Sequence, residues 1–267
     1  KQLSLINGVI SANTVLPILE DFLFEIKGKT LHLTATDLET IMKVKLDVES
    51  KTDGKVCIPH KVLTDYLKNI ADQPITFSID KNFGIDITSD NGKYKIMGEN
   101  PDNFPKEPSN DNENRFKMTS SQLVTAINKT IFAVSTDDLR PAMTGVFFEL
   151  NKKFLQLVST DAHELVKYQL TNVATGGDGS FIVPRKPLNL LKNALPDNDD
   201  ELTVEYNDNH LFVSHSNIQL TCRLIDARFP DYKVVIPTDN PYKLILNKSD
   251  FQRSEEHTSE LQSHWYI

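Results

Sequence analysis

The chain has 267 residues, with Lys+Arg 29 against Asp+Glu 37, a formal net charge of −8, a pI near 5.4 and 39% hydrophobic residues. That length exceeds one ordinary domain and suits two, and the composition is that of a globular chain, not a disordered one. The acidic balance argues against a protein that coats nucleic acid, while leaving room for a local basic surface.

In chain order, residues 1–11 are expected to form a helix. FLFEI and LHLTAT then alternate as two strands joined by a tight Lys27-Gly28-Lys29 connection. A third strand at Ile41–Val48 precedes a second helix over Lys61–Ile70, entered just after Pro59, and ITFSID, FGIDITS and YKIMG read as three short strands. The extended segment NRFKMTSSQL leads into a helix over Ser120–Val134. There Leu123, Ala126, Ile127, Thr130, Ile131 and Val134 keep 3.6-residue spacing, and Thr119 or Ser120 can supply the N-cap. VFFEL and FLQLVST follow, joined through Asn151-Lys152-Lys153. Then come a strand at Leu165–Leu170, a helix over Lys186–Leu195 after Pro184, and the strands LTVEY, HLFVSHS and IQLTCRL. Two helices against an antiparallel sheet, twice over, make an α+β fold.

The order repeats because the sequence does. Residues 17–46 align without a gap on 141–170, and Pro17/Pro141, Phe24/Phe148, Leu33/Leu157, Thr36/Thr160, Asp37/Asp161 and Lys43/Lys167 are among the identities. With one residue inserted, Pro59 and Lys61 meet Pro184 and Lys186, and Phe104-Pro105 meets Phe229-Pro230. The chain is therefore a tandem duplication. The first copy is assigned to 1–113, with its opening strand missing, and the second to 114–238. YKLILNKSDF (Tyr242–Phe251) resembles the opening of the second copy, so 239–252 is read as the start of a third that is cut short. Residues 253–267 resemble neither copy. Their back-translation resembles a widely used sequencing adapter, and they are read as a non-native tail.

No apolar run approaches the roughly 18 residues that cross a bilayer. No signal peptide is visible, although a chain that begins at Lys1 without Met can have lost its true start. Cys57 and Cys222 form no CxxC pair, which speaks against a disulfide framework or a cysteine zinc site and for the reducing cytoplasm. Ser159, Thr160, Asp161 and His163 invite a nucleophile–base reading. However, the repeated Thr-Asp, with His163 aligned on Glu39, fits a turn held by side-chain to backbone bonds better. GxxxxGK[ST], HExxH, GxSxG and GxGxxG are absent, so no enzyme, cofactor or metal is expected.

Several segments resemble the bacterial beta sliding clamps, the beta subunits of DNA polymerase III. They are LPIL with TATDLE in the first copy, and FAVSTDDLRPAMTGV, VSTDAHEL, IVPRK and DARFPDY in the second. The resemblance covers nearly everything from Lys1 to about Phe251, in order. It implies tandem clamp domains, three per subunit, with two subunits closing head-to-tail into a homodimeric ring around double-stranded DNA without base reading. Such a ring tethers the replicative DNA polymerase and performs no chemistry. It also implies binding to the clamp loader and to other proteins that carry a clamp-binding peptide.

The resemblance implies a DNA-facing set on the helices and their approaches: Lys68, Lys129, Arg140, Arg185, Lys186 and Lys192. Phosphate attraction by such residues holds a duplex without sequence information. It also implies a pocket for a short apolar-aromatic peptide, formed by Met143, Thr160, Ala162, His163, Leu165, Pro230 and Val235. Departures stand at Asn13, where relatives can carry a basic residue, at Pro141-Ala142, where some carry aromatics, and at Glu164, often basic in relatives. A chain with only the start of its third copy is expected to be unable to close a ring. The competing reading from the residues alone is a non-catalytic protein-interaction module built from duplicated α+β domains.

Overall fold

Apolar–polar alternation becomes antiparallel strands in both copies. The computed structural model describes residues 2–11, 16–90, 92–109 and 114–251. In the first copy α1 (Gln2–Asn7) precedes β1 (Asp21–Lys27), β2 (Thr30–Thr36), β3 (Thr40–Asp47), β4 (Gly54–Pro59) and α2 (His60–Lys68). Then β5 (Thr76–Ile79), β6 (Gly84–Ser89) and β7 (Gly92–Met97) form a three-stranded sheet. The second copy runs β8 (Asn114–Thr119), α3 (Ser120–Thr130), β9 (Gly145–Asn151), β10 (Phe154–Thr160), β11 (Leu165–Leu170), β12 (Gly179–Pro184) and α4 (Arg185–Ala194). It ends with β13 (Glu201–Tyr206), β14 (His210–His215) and β15 (Ile218–Arg223). Gly28, at φ 62, takes the left-handed position of the β1–β2 turn, where a Cβ would be strained.

The two copies share a sheet. The last strand of the second, β15, lies antiparallel to β3 of the first, with Ile218 opposite Val44, Leu220 opposite Met42 and Cys222 opposite Thr40. The result is one eight-stranded sheet in the order β4-β1-β2-β3-β15-β14-β13-β8, beside a four-stranded sheet β11-β10-β9-β12. Backbone bonds from Lys45 N to Asn217 O (2.9 Å) and from Arg223 N to Glu39 O (2.8 Å) extend the ladder at both ends of the joint.

The helices cover the apolar sheet faces. α3 packs on β8, β10 and β11, α4 on β12 and β15, α1 on β2 and β3, and α2 on β4. Leu123, Val124, Ala126 and Ile127 of α3 and Pro187, Leu188, Leu190 and Leu191 of α4 are buried, as 3.6-residue spacing requires. They join Phe22, Leu33, Met42, Ile58 and Leu63 of the first copy in one continuous core. Each such side chain contributes about 1.5–3 kcal/mol by leaving water.

All four helices end earlier than the sequence predicts, α4 at Ala194, α2 at Lys68, and α1 and α3 by a full turn. The helix expected over residues 1–11 stops at Asn7, and Val9 N and Ile10 N bond back to Ile6 O and Asn7 O as a tightened turn. The helix expected to run to Val134 ends at Thr130, whose hydroxyl donates to Ala126 O (2.8 Å), and Ile131–Ala133 continues as a 3-10 turn. Its start is as expected. Thr119 accepts from Gln122 N (3.2 Å), while the Gln122 side chain accepts from Thr119 N (2.9 Å), a reciprocal capping box.

Contacts divide the chain into a unit Lys1–Phe229 and a unit Pro230–Ile267. Within the second, Asp231 caps a 3-10 turn Tyr232–Val235 by accepting from Lys233 N (3.2 Å). Tyr242–Asn247, expected as an extended opening, carries no strand. Asn247 caps a helical turn that starts at Lys248, its side chain accepting from Ser249 N (3.0 Å). Asn13 and the tail at 253–267 lie outside the described residues.

Candidate functional site

Charge on this acidic chain is unevenly placed. Within α1–α4 stand six basic side chains, Lys61, Lys68, Lys129, Arg185, Lys186 and Lys192, and a single acidic one, Asp65, against a whole-chain charge of −8. Lys68, Lys129 and Arg185 are exposed and Lys192 half-buried. Lys68, Lys129 and Lys192 occupy the last turns of α2, α3 and α4, where the helix dipole favours a cation even without a ligand. Lys68 Nζ is 3.9 Å from Asp65, too far and too exposed to be neutralised by it. Among the described residues Lys129, Arg185 and Lys192 form no ion pair. Because α3, α4 and α1 pack in series, most of these cations share one helical layer that spans the two copies. Lys61 and Lys68 stand apart from that series, on α2, which packs on β4. Lys61 aligns with Lys186 in the repeat and pairs with Glu20 at 3.3 Å.

Two of the nominated cations are engaged elsewhere. Arg140 precedes a 3-10 turn, Pro141–Met143, and its Nε donates to Asp137 Oδ2 (2.9 Å). The backbone N–H of Leu139 and then Arg140 hold the Asp137 carboxyl below the usual carboxylate range. The Lys186 ammonium donates to Asp37 Oδ2 (2.5 Å), Val9 O (2.6 Å) and Ser11 Oγ (2.9 Å), all three on the first copy.

The repeated Thr-Asp is a turn in both copies. Thr160 Oγ1 accepts from Ala162 N (3.1 Å) and donates to Glu164 O (2.7 Å), while Asp161 Oδ1 accepts from His163 N (2.8 Å) and Glu164 N (2.7 Å). Thr36 and Asp37 hold Leu38 N (3.1 Å), Glu39 N (3.1 Å) and Thr40 N (2.7 Å) in the same way. The third residue of each turn, Leu38 and Ala162, sits at φ 79. The Asp161 carboxyl is held below its ordinary range, first by the Glu164 N–H and then by that of His163.

Five of the nominated pocket residues lie on the first unit, four of them in or beside this turn. Ala162 and His163 are exposed on the turn, Leu165 opens β11 half-buried, and Thr160 is buried at the end of β10. Met143 is half-buried, its carbonyl accepting from Ser135 N (2.9 Å). Neither Met143 nor Leu165 is a core residue. Pro230 and Val235 belong to the second unit, where both are exposed.

The rest of the surface offers little chemistry. Ser159 is fully buried and its hydroxyl donates to Thr130 O (2.6 Å), so it is not presented as a nucleophile. Cys57 and Cys222 are buried free thiols, each pushed up to about 12 by burial. Among the described residues no group of three or more His, Cys, Asp or Glu could hold a metal ion, and no helix is long and apolar enough to cross a membrane. A cleft of about 560 Å³, lined by Phe147, Asp178, Tyr206, Asp226, Arg228 and Phe229 among others, contains none of the nominated residues.

Comparisons with known proteins point to one family. The family described as DNA polymerase III beta subunit, N-terminal domain, matches residues 1–108, and the one described as its central domain matches 117–231. The chain is 27% identical over 258 residues to a beta sliding clamp of Staphylococcus epidermidis, covering 94% of this chain and 68% of that protein. A solved DNA polymerase III subunit beta of Pseudomonas aeruginosa superposes with a TM-score of 0.86 at 27% identity, over 90% of this chain and 66% of the other. A sliding clamp of Bacillus subtilis shares the fold at a TM-score of 0.90 and 20% identity, over 97% and 70%. The chain thus spans about two thirds of the length of the relatives it matches.

Proposed function

The chain belongs to the DNA polymerase III beta subunit family, and from that premise we propose that it is part of a DNA sliding clamp, a non-catalytic ring that encircles duplex DNA and tethers the replicative polymerase. The observation that carries this reading is the segregation of charge. Six cations stand against one acid on the four helices of a chain at −8, and with Lys61 on Glu20 and Lys186 on Asp37, Lys68, Lys129, Arg185 and Lys192 are left to make a basic layer. Such a layer attracts phosphates without reading bases, and a ring that must slide needs nothing more. We assign 1–113 and 114–238 as the first and second clamp domains and 239–252 as the opening of a third. Lys68, Lys129, Arg185 and Lys192 face the duplex, with Arg140 at its margin. The ring is a head-to-tail homodimer acting in the cytoplasm.

The second surface is the peptide pocket around the Thr160–Leu165 turn. Leu165 presents a half-buried apolar side chain beside the exposed Ala162 and His163, and Met143, assigned to the pocket on the family resemblance, is likewise half-buried, which suits an apolar-aromatic anchor from a polymerase, clamp loader or other clamp-binding protein. Pro230 and Val235 are assigned to it on the family resemblance alone.

Association with linear duplex DNA across a salt series tests the basic layer. Removing Lys68 and Arg185 together should flatten the slope of log affinity against log salt by roughly 0.9 for each phosphate no longer neutralised, with no change in base preference. A double Ala variant with an unchanged slope would favour a protein-interaction module that has no DNA-facing wall.

A further inference from the structure

The ammonium of Lys186 has three hydrogens, and the three acceptors around it use all of them. All three acceptors come from the other copy: Val9 and Ser11 beyond the end of α1, and Asp37 in the turn between β2 and β3. The bond to Asp37 closes a separation of 149 residues. The Asp37 side chain is only 14% exposed, so the carboxylate is largely covered, while the Lys186 side chain is 39% exposed and water reaches its side of the pair. A phosphate could claim Lys186 only by leaving that carboxylate uncompensated.

The internal repeat separates the ion pair from the turn it rests on. Asp37 and Asp161 both spend Oδ1 on two backbone N–H groups, so the turn forms in either copy. Oδ2 takes a lysine only in the first, where the copies meet; among the described residues Asp161 forms no ion pair. Among the described residues Lys61, the counterpart of Lys186, pairs with the half-buried Glu20 of its own copy, at 3.3 Å. The lysine bond is therefore a property of the joint.

We infer that Lys186 is a positioning residue that fastens the second copy to the first. Through Asp37, Ser11 and Val9 it fixes how α4 meets α1, and it is withdrawn from the DNA-facing set. It lies beside the strand pair β3–β15 and ties the turn at the entrance to β3 to the start of α4, so the side-chain latch and the backbone ladder hold the same joint. The part of this inference that concerns DNA rests on the proposed function; the latch itself does not.

A double-mutant cycle on the 267-residue chain tests it. Asp37→Asn keeps the Oδ1 acceptor and loses the charge, whereas Lys186→Met keeps the stem and loses the ammonium. Each should lower the folding equilibrium constant, and the two should be coupled by about tenfold or more, the scale of a charge-assisted hydrogen bond. Asp161→Asn, with the same turn chemistry and no lysine, should show no coupling to Lys186→Met. Amide exchange in Lys186→Met should accelerate along β3 and β15 and not along β9 and β10. In DNA association, Lys186→Met should keep the salt slope while Arg185→Ala lowers it. Additive effects in the cycle, or a salt slope lowered by Lys186→Met, would overturn the inference. If instead the coupling is present but Arg185→Ala leaves the slope unchanged, the latch stands and the DNA-facing layer is what fails.

Discussion

Asp21 makes stability depend on pH in an unusual direction. It opens β1 at 4% exposure, and its Oδ2 is buried with no hydrogen-bond partner among the described residues. Burial first, then the charges of Glu99 and Glu20, raise its pKa from 3.8 to about 7. The folded chain therefore keeps a proton that the unfolded chain has lost. The contribution is fully present below about pH 3.8 and is lost as pH rises through about 7, opposite to a salt-bridged carboxylate. A shift of about three pKa units at about 1.4 kcal/mol each sets an upper scale of about 4 kcal/mol lost by pH 8. Asp21→Asn has the same shape and no charge, and the repeat counterpart, Gly145, carries no side chain. Urea unfolding of wild type and variant from pH 5 to 8 isolates Asp21 together with its coupling to Glu99 and Glu20, because carboxylates that do not interact with it cancel in the difference. The variant should gain on wild type by one to a few kcal/mol across that range, on the order set by this linkage. A constant difference at every pH would refute a protonated Asp21 in the folded chain.

Three further outcomes are expected. Leu165→Asp or Met143→Asp should weaken binding of a polymerase tail peptide at least about tenfold in a titration, since a charge buried against an apolar anchor goes unpaired; unchanged affinity would remove these residues from the pocket. Gly145→Ala should destabilise by about 1–3 kcal/mol in denaturant unfolding, because its Cβ would stand 2.5 Å from Val183 O and 2.8 Å from Ile182 Cγ2; a neutral result would show that β9 and β12 can separate. Ala162→Gly should be neutral or stabilising by up to about 1 kcal/mol, since φ 79 suits glycine, and a clear loss of stability would mean that the methyl group has a packing role.

What the sequence determined by itself is whatever depends on near neighbours or on repetition. The Thr-Asp turns were legible because their bonds span two or three residues, and the capping box at Thr119 because it closes within four. The strands and α3 and α4 were legible because alternation and 3.6-residue spacing mark which face will leave water. The helix ends were not, because the Thr130 hydroxyl bonds Ala126 O and the N–H groups of Val9 and Ile10 bond back to Ile6 and Asn7, local bonds that periodicity does not encode. Tertiary structure alone decided three things: that β15 meets β3, that the core runs through both copies, and that the Asp21 carboxyl loses its water. The clearest case is Lys186. On its helix it looks like one more cation beside Arg185, and only folding brings Asp37, 149 residues away, against it. A basic residue shows its charge in the sequence, but which anion neutralises it depends on distances that chain order does not set.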